Sequence, residues 1–406
     1  MFGNILEWYD FALYGFLAII IAQLFFPPDG LTPLLSTFAV FAVGFLMRPI
    51  GAWLFGYIGD RFSRPLALKL SVVLMGVATL LLGLLPTYAA IGIGAPILLI
   101  ILRMLQGLSV GGEFSTSVTY LVEHAPPTKR GVFGSIANVG SMGGMLLGVS
   151  VAAATTSFFS PDTLLTWGWR LPFLLGGVLG LIALILRSHM PTHVLEKHQQ
   201  RHSAKTPFRE AVTNNRRELL EALFFSLGYA VLFYITFVYL PTYVNEFFQL
   251  PLDTALQMNT ISIALIIFLI PGFGYLSDIL PNRRTILLYT FGLTGLMMVP
   301  LFMFLGMGEL WQFFVVQSLL GVLMAVALGI APALYVELFP KSDRLTAYSI
   351  TFNVSLGIFG GTTPLIATWL IHMSGNLLAP AYYTVGALLC AVGALFYMRR
   401  EPVANV

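Results

Sequence analysis

Apolar runs of about 20 residues, each closed by a short polar or Pro/Gly-rich break, recur from residue 3 almost to the C-terminus. That length is what a helix needs to cross bilayer hydrocarbon. The runs predict twelve helices, at about 4–26, 34–58, 66–86, 96–122, 131–158, 168–187, 219–243, 254–276, 284–305, 310–338, 345–372 and 379–398. Most breaks are tight, such as Pro27-Pro28-Asp29-Gly30 and Pro126-Pro127. One is long and polar, and it divides the chain into an N-terminal six-helix bundle (1–187), a central loop (188–218), a C-terminal six-helix bundle (219–398) and a short tail (399–406). No basic stretch or cleavage site accompanies the first run, so it reads as a span and not as a signal peptide.

Composition and charge sharpen this picture. The chain is 57% hydrophobic and 10% charged, against about 25% charged for soluble domains. Its fold class is therefore an all-α polytopic membrane protein. Of 21 Lys and Arg, 18 fall in alternate loops or at the tail; the exceptions are Arg48, Arg103 and Arg170. With an even number of spans, that bias puts both termini and the central loop in the cytoplasm. A single cysteine, Cys390 in a late apolar run, excludes a disulfide framework, and six histidines offer no metal-ligand spacing.

The fourth run breaks the apolar pattern most informatively. Arg103, Gln106, Val110, Glu113 and Ser117 recur at helical spacing and predict one polar stripe, with Gly107, Gly111 and Gly112 beside it for close helix approach. Charges in hydrocarbon cost about 2.5–3.5 kcal/mol each on insertion scales, so they face protein or water. The first span places Glu7, Asp10 and Tyr14 on one face, and the second holds Arg48 midway. At ~1.5 Å per residue, Asp10, Arg48 and Glu113 lie roughly 10, 18 and 15 Å deep and can share one cavity. Two carboxylates near an arginine can hold one exchangeable proton, since burial favours the neutral acid and the guanidinium favours the carboxylate. A substrate competing for Arg48 shifts that balance. Asp10, Glu113, Glu7 and Arg103 are thus the proton-coupling candidates. The same residues also allow a plainer arrangement, in which Arg48 and a carboxylate lock helices one, two and four, Glu7 reaches water near the cytoplasmic end, and Arg103 anchors backbone carbonyls.

The two halves repeat. Gly107, Glu123 and Arg130 recur as Gly321, Glu337 and Arg344 at an offset of 214, and Gly56-x-x-x-Asp60 recurs as Gly274-x-x-x-Asp278 at 218. A duplicated six-helix unit is an architecture of transporters with a midplane site between the halves. The second half has no charge in the middle of any span, so its candidate lining is neutral: Tyr234, Tyr239, Gln317, Asn353 and His372. Arg48, Tyr14, Gln106, Tyr234, Gln317 and Asn353 are the candidate substrate contacts. Glu123 with Arg130 and Glu337 with Arg344 are expected ion pairs at the helix ends, where Asp60 with Arg64, and Asp278 with Arg283, also stand.

These residues resemble the major facilitator superfamily, whose signature between spans two and three is similar to Gly56–Arg64. More narrowly, GNILEWYDFALYGF (3–16), RPIGAWLFGYIGDR (48–61), RMLQGLSVGGE (103–113) and GWRLPF (168–173) resemble the metabolite:proton symporter family of proline/betaine, shikimate, α-ketoglutarate and citrate transporters. The resemblance implies twelve helices in two pseudo-symmetric bundles, a bacterial inner membrane, and a gating role for Asp60, Arg64, Glu123, Arg130, Asp278, Arg283, Glu337 and Arg344. The osmosensing proline/betaine type has a long C-terminal coiled coil, whereas this chain stops eight residues after Met398, an expectation against gating through such a tail.

The expected function is proton-coupled import of a small zwitterion or carboxylate by alternating access, with the proton as the coupling ion, no other cofactor, and a functional monomer in lipid. One buried arginine and several aromatic rings (Trp8, Tyr9, Tyr14, Tyr234) suit a proline- or betaine-like zwitterion. A di- or tricarboxylate symporter and an uncoupled facilitator remain alternatives. The fifth span lacks the Gly-Pro step of superfamily antiporters and offers Gly134, Gly140, Gly143, Gly144 and Gly148 for packing. No HExxH, GxSxG or nucleotide-binding motif is present, so the sequence reads as neither an enzyme nor an ATP-driven pump. Loop charge is explained by topology, which leaves no nucleic-acid reading.

Overall fold

The computed structural model describes residues 2–27, 33–62, 64–110, 113–188, 212–280, 282–341 and 344–398. Most of the central loop and the tail lie outside these, as do Gly111, Gly112 and the side chains of Asp60, Arg64 and Glu113. Among the described residues nine helices are individually long and apolar enough to span, two more spans are bent pairs, and Lys69–Leu84 is a shorter apolar helix, which together make the twelve expected.

In chain order they are α1 (Phe2–Phe16, then Ala18–Phe25), α2 (Pro33–Leu46 and Arg48–Arg61), α3 (Arg64–Leu84), α4 (Gly94–Ser109 and Glu113–His124), α5 (Arg130–Phe158) and α6 (Arg170–Ser188). The second half holds α7 (Arg216–Tyr234, continued to Phe248), α8 (Leu252–Ile279), α9 (Arg283–Leu305), α10 (Leu310–Leu338), α11 (Arg344–Val354, continued to Ser374) and α12 (Ala379–Tyr397).

Side chains that face outward are largely apolar, with Phe268, Tyr289, Leu296 and Cys390 exposed where lipid would lie. The two halves meet through glycine. On α5 a Cβ at Gly131 would stand 2.3 Å from the Gly274 carbonyl of α8, and on α11 a Cβ at Gly361 would stand 2.4 Å from Phe45 Cβ of α2. These contacts, α5 with α8 and α11 with α2, are counterparts under the repeat. Among the glycines expected to pack α5, Gly144 seats against the Ile5 carbonyl, whereas Gly143 faces open space.

Proline shapes the second half. Pro241 and Pro332 have no N–H to give the carbonyl four residues earlier, which must find another donor. The Phe237 carbonyl takes Asn259 Nδ2 of α8 at 2.9 Å, and the Leu328 carbonyl takes Asn138 Nδ2 of α5, in the opposite half, at 2.7 Å. The continuous stripe expected along the fourth run does not form as such. Its helix ends at Ser109, Val110 is extended (φ −98°, ψ 99°), and helix resumes at Glu113. Glycine is the poorest helix former after proline, and two follow Val110 in the sequence.

Candidate functional site

Four buried charges gather in the first half. Arg48 Nη2 lies 2.6 Å from Glu7 Oε1, and both side chains are buried. Its guanidinium is sandwiched between the Phe11 and Phe45 rings, each centroid 4.6 Å away. The sequence pointed to Asp10 or Glu113 as the partner of Arg48 and left Glu7 near water; the structure pairs Arg48 with Glu7 instead, 4% exposed. One helical turn separates Glu7 from Asp10, and that turn decides which acid meets α2.

Asp10 faces α3. Thr79 Oγ1 donates to Asp10 Oδ2 at 2.5 Å, and Gln106 Nε2 of α4 donates to Thr79 Oγ1 at 2.8 Å. Arg103 Nη1 then donates to Gln106 Oε1 at 3.0 Å, so a four-residue chain joins α1, α3 and α4. Asp10 and Arg103 are linked through it and form no direct ion pair. The Arg103 guanidinium lies over Tyr14 at 4.2 Å and Phe11 at 4.9 Å, and it holds no backbone carbonyl. Gly107, beside it, lets α4 close on α2: a Cβ there would stand 1.9 Å from the Gly44 carbonyl.

Between the halves lies a nearly closed aromatic chamber of about 10 Å³, room for a single water, lined by Trp8, Asn138, Tyr229, Phe233, Tyr234 and Phe352 among others. That is far below the size of a small-molecule pocket, so the halves are closed together here. Across Trp8 and Tyr234, against Phe11 and Phe41, packing leaves essentially no free volume. Trp8 Nε1 and the Tyr234 hydroxyl are buried without a hydrogen-bond partner. Buried polar groups are rarely left so, and donors aimed at a chamber suit a ligand.

Of the other expected contacts, Tyr234 lines the chamber, whereas Asn353, next to the lining residue Phe352 in the chain, gives its amide to the Ser349 carbonyl at 2.9 Å. Three are not brought to its wall. Tyr14 donates to the Thr37 carbonyl at 3.2 Å, Gln106 is committed to Thr79 and Arg103, and Gln317 Nε2 donates to Asn259 at 2.7 Å, within the second half. His372 is exposed, and Tyr239 receives Thr368.

At the basic end the helix ends interlock. Asp278 accepts the Gly131 and Val132 amides at 2.7 and 3.0 Å, capping the N-terminus of α5 from the opposite half. Arg283 joins Asp278 at 2.5 Å and Glu337 at 2.6 Å. Glu123 pairs with Arg344 across the halves at 3.0 Å. The expected pairs Glu123–Arg130 and Glu337–Arg344 are therefore replaced. Helices from opposite halves lean together here, so the nearest cation to Glu123 lies across the interface, and Arg130 makes no ion pair among the described residues. Phe114 stacks on Phe352 at 4.4 Å and Ser115 meets Ser349 at 3.1 Å, which closes this end beneath the chamber. The side chains of Asp60, Arg64 and Glu113, expected here or on the proton route, lie outside the described residues.

Sequence reading missed Thr79, Asn138, Phe233 and Phe352. Only Thr79 carried a signal, as the one polar side chain between Ser71 and Thr87.

A two-half bundle of membrane-spanning helices, closed around a small chamber with charges buried behind it, is a membrane transporter. The comparisons identify which kind. The sequence matches the Major Facilitator Superfamily over residues 1–288 and again over 254–406, and the chain belongs to that family. It is 31% identical to the Proline/betaine transporter of Salmonella typhimurium and 32% to that of Escherichia coli K12, each over 99% of this chain and 82% of the relative. Among solved structures it is similar to a D-xylose-proton symporter (TM-score 0.77, 20% identity, 100% of this chain and 97% of that one). The partially occluded inward-open form of the E. coli xylose transporter XylE gives a TM-score of 0.78 at 19% identity, covering 100% and 97%.

Proposed function

We propose that this chain imports a small zwitterion of the proline or betaine kind together with protons, by alternating access, as a monomer in a bacterial inner membrane with both termini cytoplasmic. The observation that carries the substrate class is the chamber itself. Rings of Trp8, Phe233, Tyr234 and Phe352 converge between the halves, and aromatic faces attract a quaternary or secondary ammonium as the halves part. Unpartnered Trp8 Nε1 and Tyr234 hydroxyl, with Arg48 behind Phe11, supply donors for one carboxylate. Citrate would bring three negative charges to a chamber whose lining is aromatic and neutral. The names of the relatives agree with a zwitterion.

The proton is assigned to Asp10, one step from the chamber through Phe11 and Trp8 on the same helix, with Arg103 reaching it through Gln106 and Thr79. Glu7 holds Arg48, and a substrate carboxylate competes for that arginine. The basic-end contacts form the inner gate: Glu123 with Arg344, and Asp278 on the α5 terminus.

Proteoliposomes with a lumenal pH dye test this. Proline, glycine betaine, shikimate, α-ketoglutarate and citrate are added singly with no imposed gradient. Proline or betaine is expected to acidify the lumen, and Asp10→Asn to abolish the acidification. Acidification by citrate alone would overturn the substrate class, and substrate entry without proton movement would make the protein a facilitator.

A further inference from the structure

We propose that Thr79 is the positioning residue of the proton step: its hydroxyl reverses its hydrogen bond to Asp10 as that carboxyl gains or loses a proton. The inference rests on the reading of Asp10 as the proton carrier.

Arg103 can only donate. It holds Gln106 Oε1 at 3.0 Å and thereby fixes the amide so that Nε2 points at Thr79. Thr79 Oγ1 accepts that N–H at 2.8 Å, which leaves the hydroxyl one proton and one lone pair. Two groups are within reach of them: Asp10 Oδ2 at 2.5 Å and the Met75 carbonyl at 2.9 Å, one turn back on α3.

Both protonation states close this set. With Asp10 ionised, Thr79 donates its proton to Oδ2. With Asp10 protonated, the acid O–H donates to the free lone pair of Thr79, and the Thr79 proton turns to the Met75 carbonyl. One proton enters or leaves Asp10, one O–H rotates, and no heavy atom needs to move. A donor-only partner such as lysine would face a second donor after protonation; an acceptor-only partner would oppose the carboxylate. A hydroxyl with a carbonyl behind it serves both.

The surroundings leave Thr79 as the group that does this. Gly176 of α6 brings bare backbone to Asp10, where a Cβ would lie 2.9 Å from Oδ1, and Oδ1 has no hydrogen-bond partner. The titratable groups of α3, α5 and α6 stand only toward their ends. The charged or titratable neighbours are Glu7, Tyr9 and Tyr14 on α1, Arg48 on α2 in its pair with Glu7, Arg103 on α4 acting through Gln106, and Tyr234 on α7.

The test uses the full chain in proteoliposomes, with proline and glycine betaine as probes. Two rates are followed against pH: proton-driven uptake, and substrate counterflow, which needs no net proton transfer. Thr79→Val is expected to keep counterflow within about twofold of the wild type. The midpoint of its proton-driven uptake should move to higher pH by about one unit, the excess of a hydrogen bond to the carboxylate over one from the neutral acid. Thr79→Ser, which keeps the hydroxyl, should restore the wild-type profile, and in an Asp10→Asn background Thr79→Val should change nothing further. Thr79→Ala serves in the same way where the valine variant is not recovered. A valine or alanine variant with the wild-type profile, or a serine variant that shifts as valine does, overturns the proposal. A wild type that moves substrate without protons overturns the underlying reading as well, and it does so before any variant is compared.

Discussion

Replacing Asn138 by alanine should open the basic end of the transporter. Asn138 Nδ2 donates at 2.7 Å to the Leu328 carbonyl, which Pro332 has deprived of its helical donor. Asn138 itself is 3% exposed, so in the closed state no water replaces the lost amide. A buried carbonyl left unsatisfied costs about 1–3 kcal/mol. The open state hydrates the same carbonyl and does not carry that penalty. The closed-to-open ratio should therefore fall by about 5–150-fold. Alkylation measures it: with Cys390, the one native cysteine, changed to Ser, Ser115→Cys places a thiol at a position that is 1% exposed and faces the other half. Its reaction rate follows the open population and should rise by that factor. Pro332→Ala returns an N–H to the Leu328 carbonyl, so in that background Asn138→Ala should raise the rate far less. An unchanged rate in Asn138→Ala, or an equal rise in both backgrounds, would refute the account.

Two further outcomes follow from the same geometry. Tyr234→Phe removes a buried hydroxyl that has no hydrogen-bond partner, so thermal stability should hold or rise slightly while substrate affinity falls by about tenfold, read by calorimetry. Equal affinity in the variant would remove Tyr234 from the binding site. Gly107→Ala puts a Cβ 1.9 Å from the Gly44 carbonyl, and overpacking of this kind costs about 1–3 kcal/mol, seen as a lower melting temperature in detergent. A stability equal to that of the wild type would show that α2 and α4 can part there freely.

What the sequence made legible was set by lengths and periods. Twelve spans follow from apolar runs, and the breaks fall where Pro, Gly and charge accumulate. Which side chains gather at the core was also readable, because charge inside hydrocarbon is conspicuous: Glu7, Asp10, Arg48 and Arg103 all lie buried together. Pairing was not readable. Glu7 and Asp10 differ by only about 60° around a helix, and only the packing of α1 against α2 and α3 decides that the first meets Arg48 and the second Thr79. The ion pairs at the basic end failed for a related reason. Glu123 and Arg130 are close in sequence, but the cation that reaches Glu123 is Arg344, which arrives from the far half. The chamber was the least visible feature, because its walls are rings such as Phe233 and Phe352, which no local pattern separates from ordinary lipid-facing or core phenylalanine.

The clasp of Asp278 on the first amides of α5 bears on timing. Water can take over from Arg344 at Glu123, which is 36% exposed, whereas the Asp278 carboxylate is 2% exposed and its clasp holds until the rim has parted. The Glu123–Arg344 rim can therefore loosen and re-form many times at little cost. The amide of Asn138, deeper in the interface, has no such substitute until water has already entered. Separation then proceeds like a zip from the rim inward, and most excursions of the rim end in reclosure. Such a hierarchy keeps brief openings from becoming a leak, because the chamber is wetted only after the last bond in the series gives way.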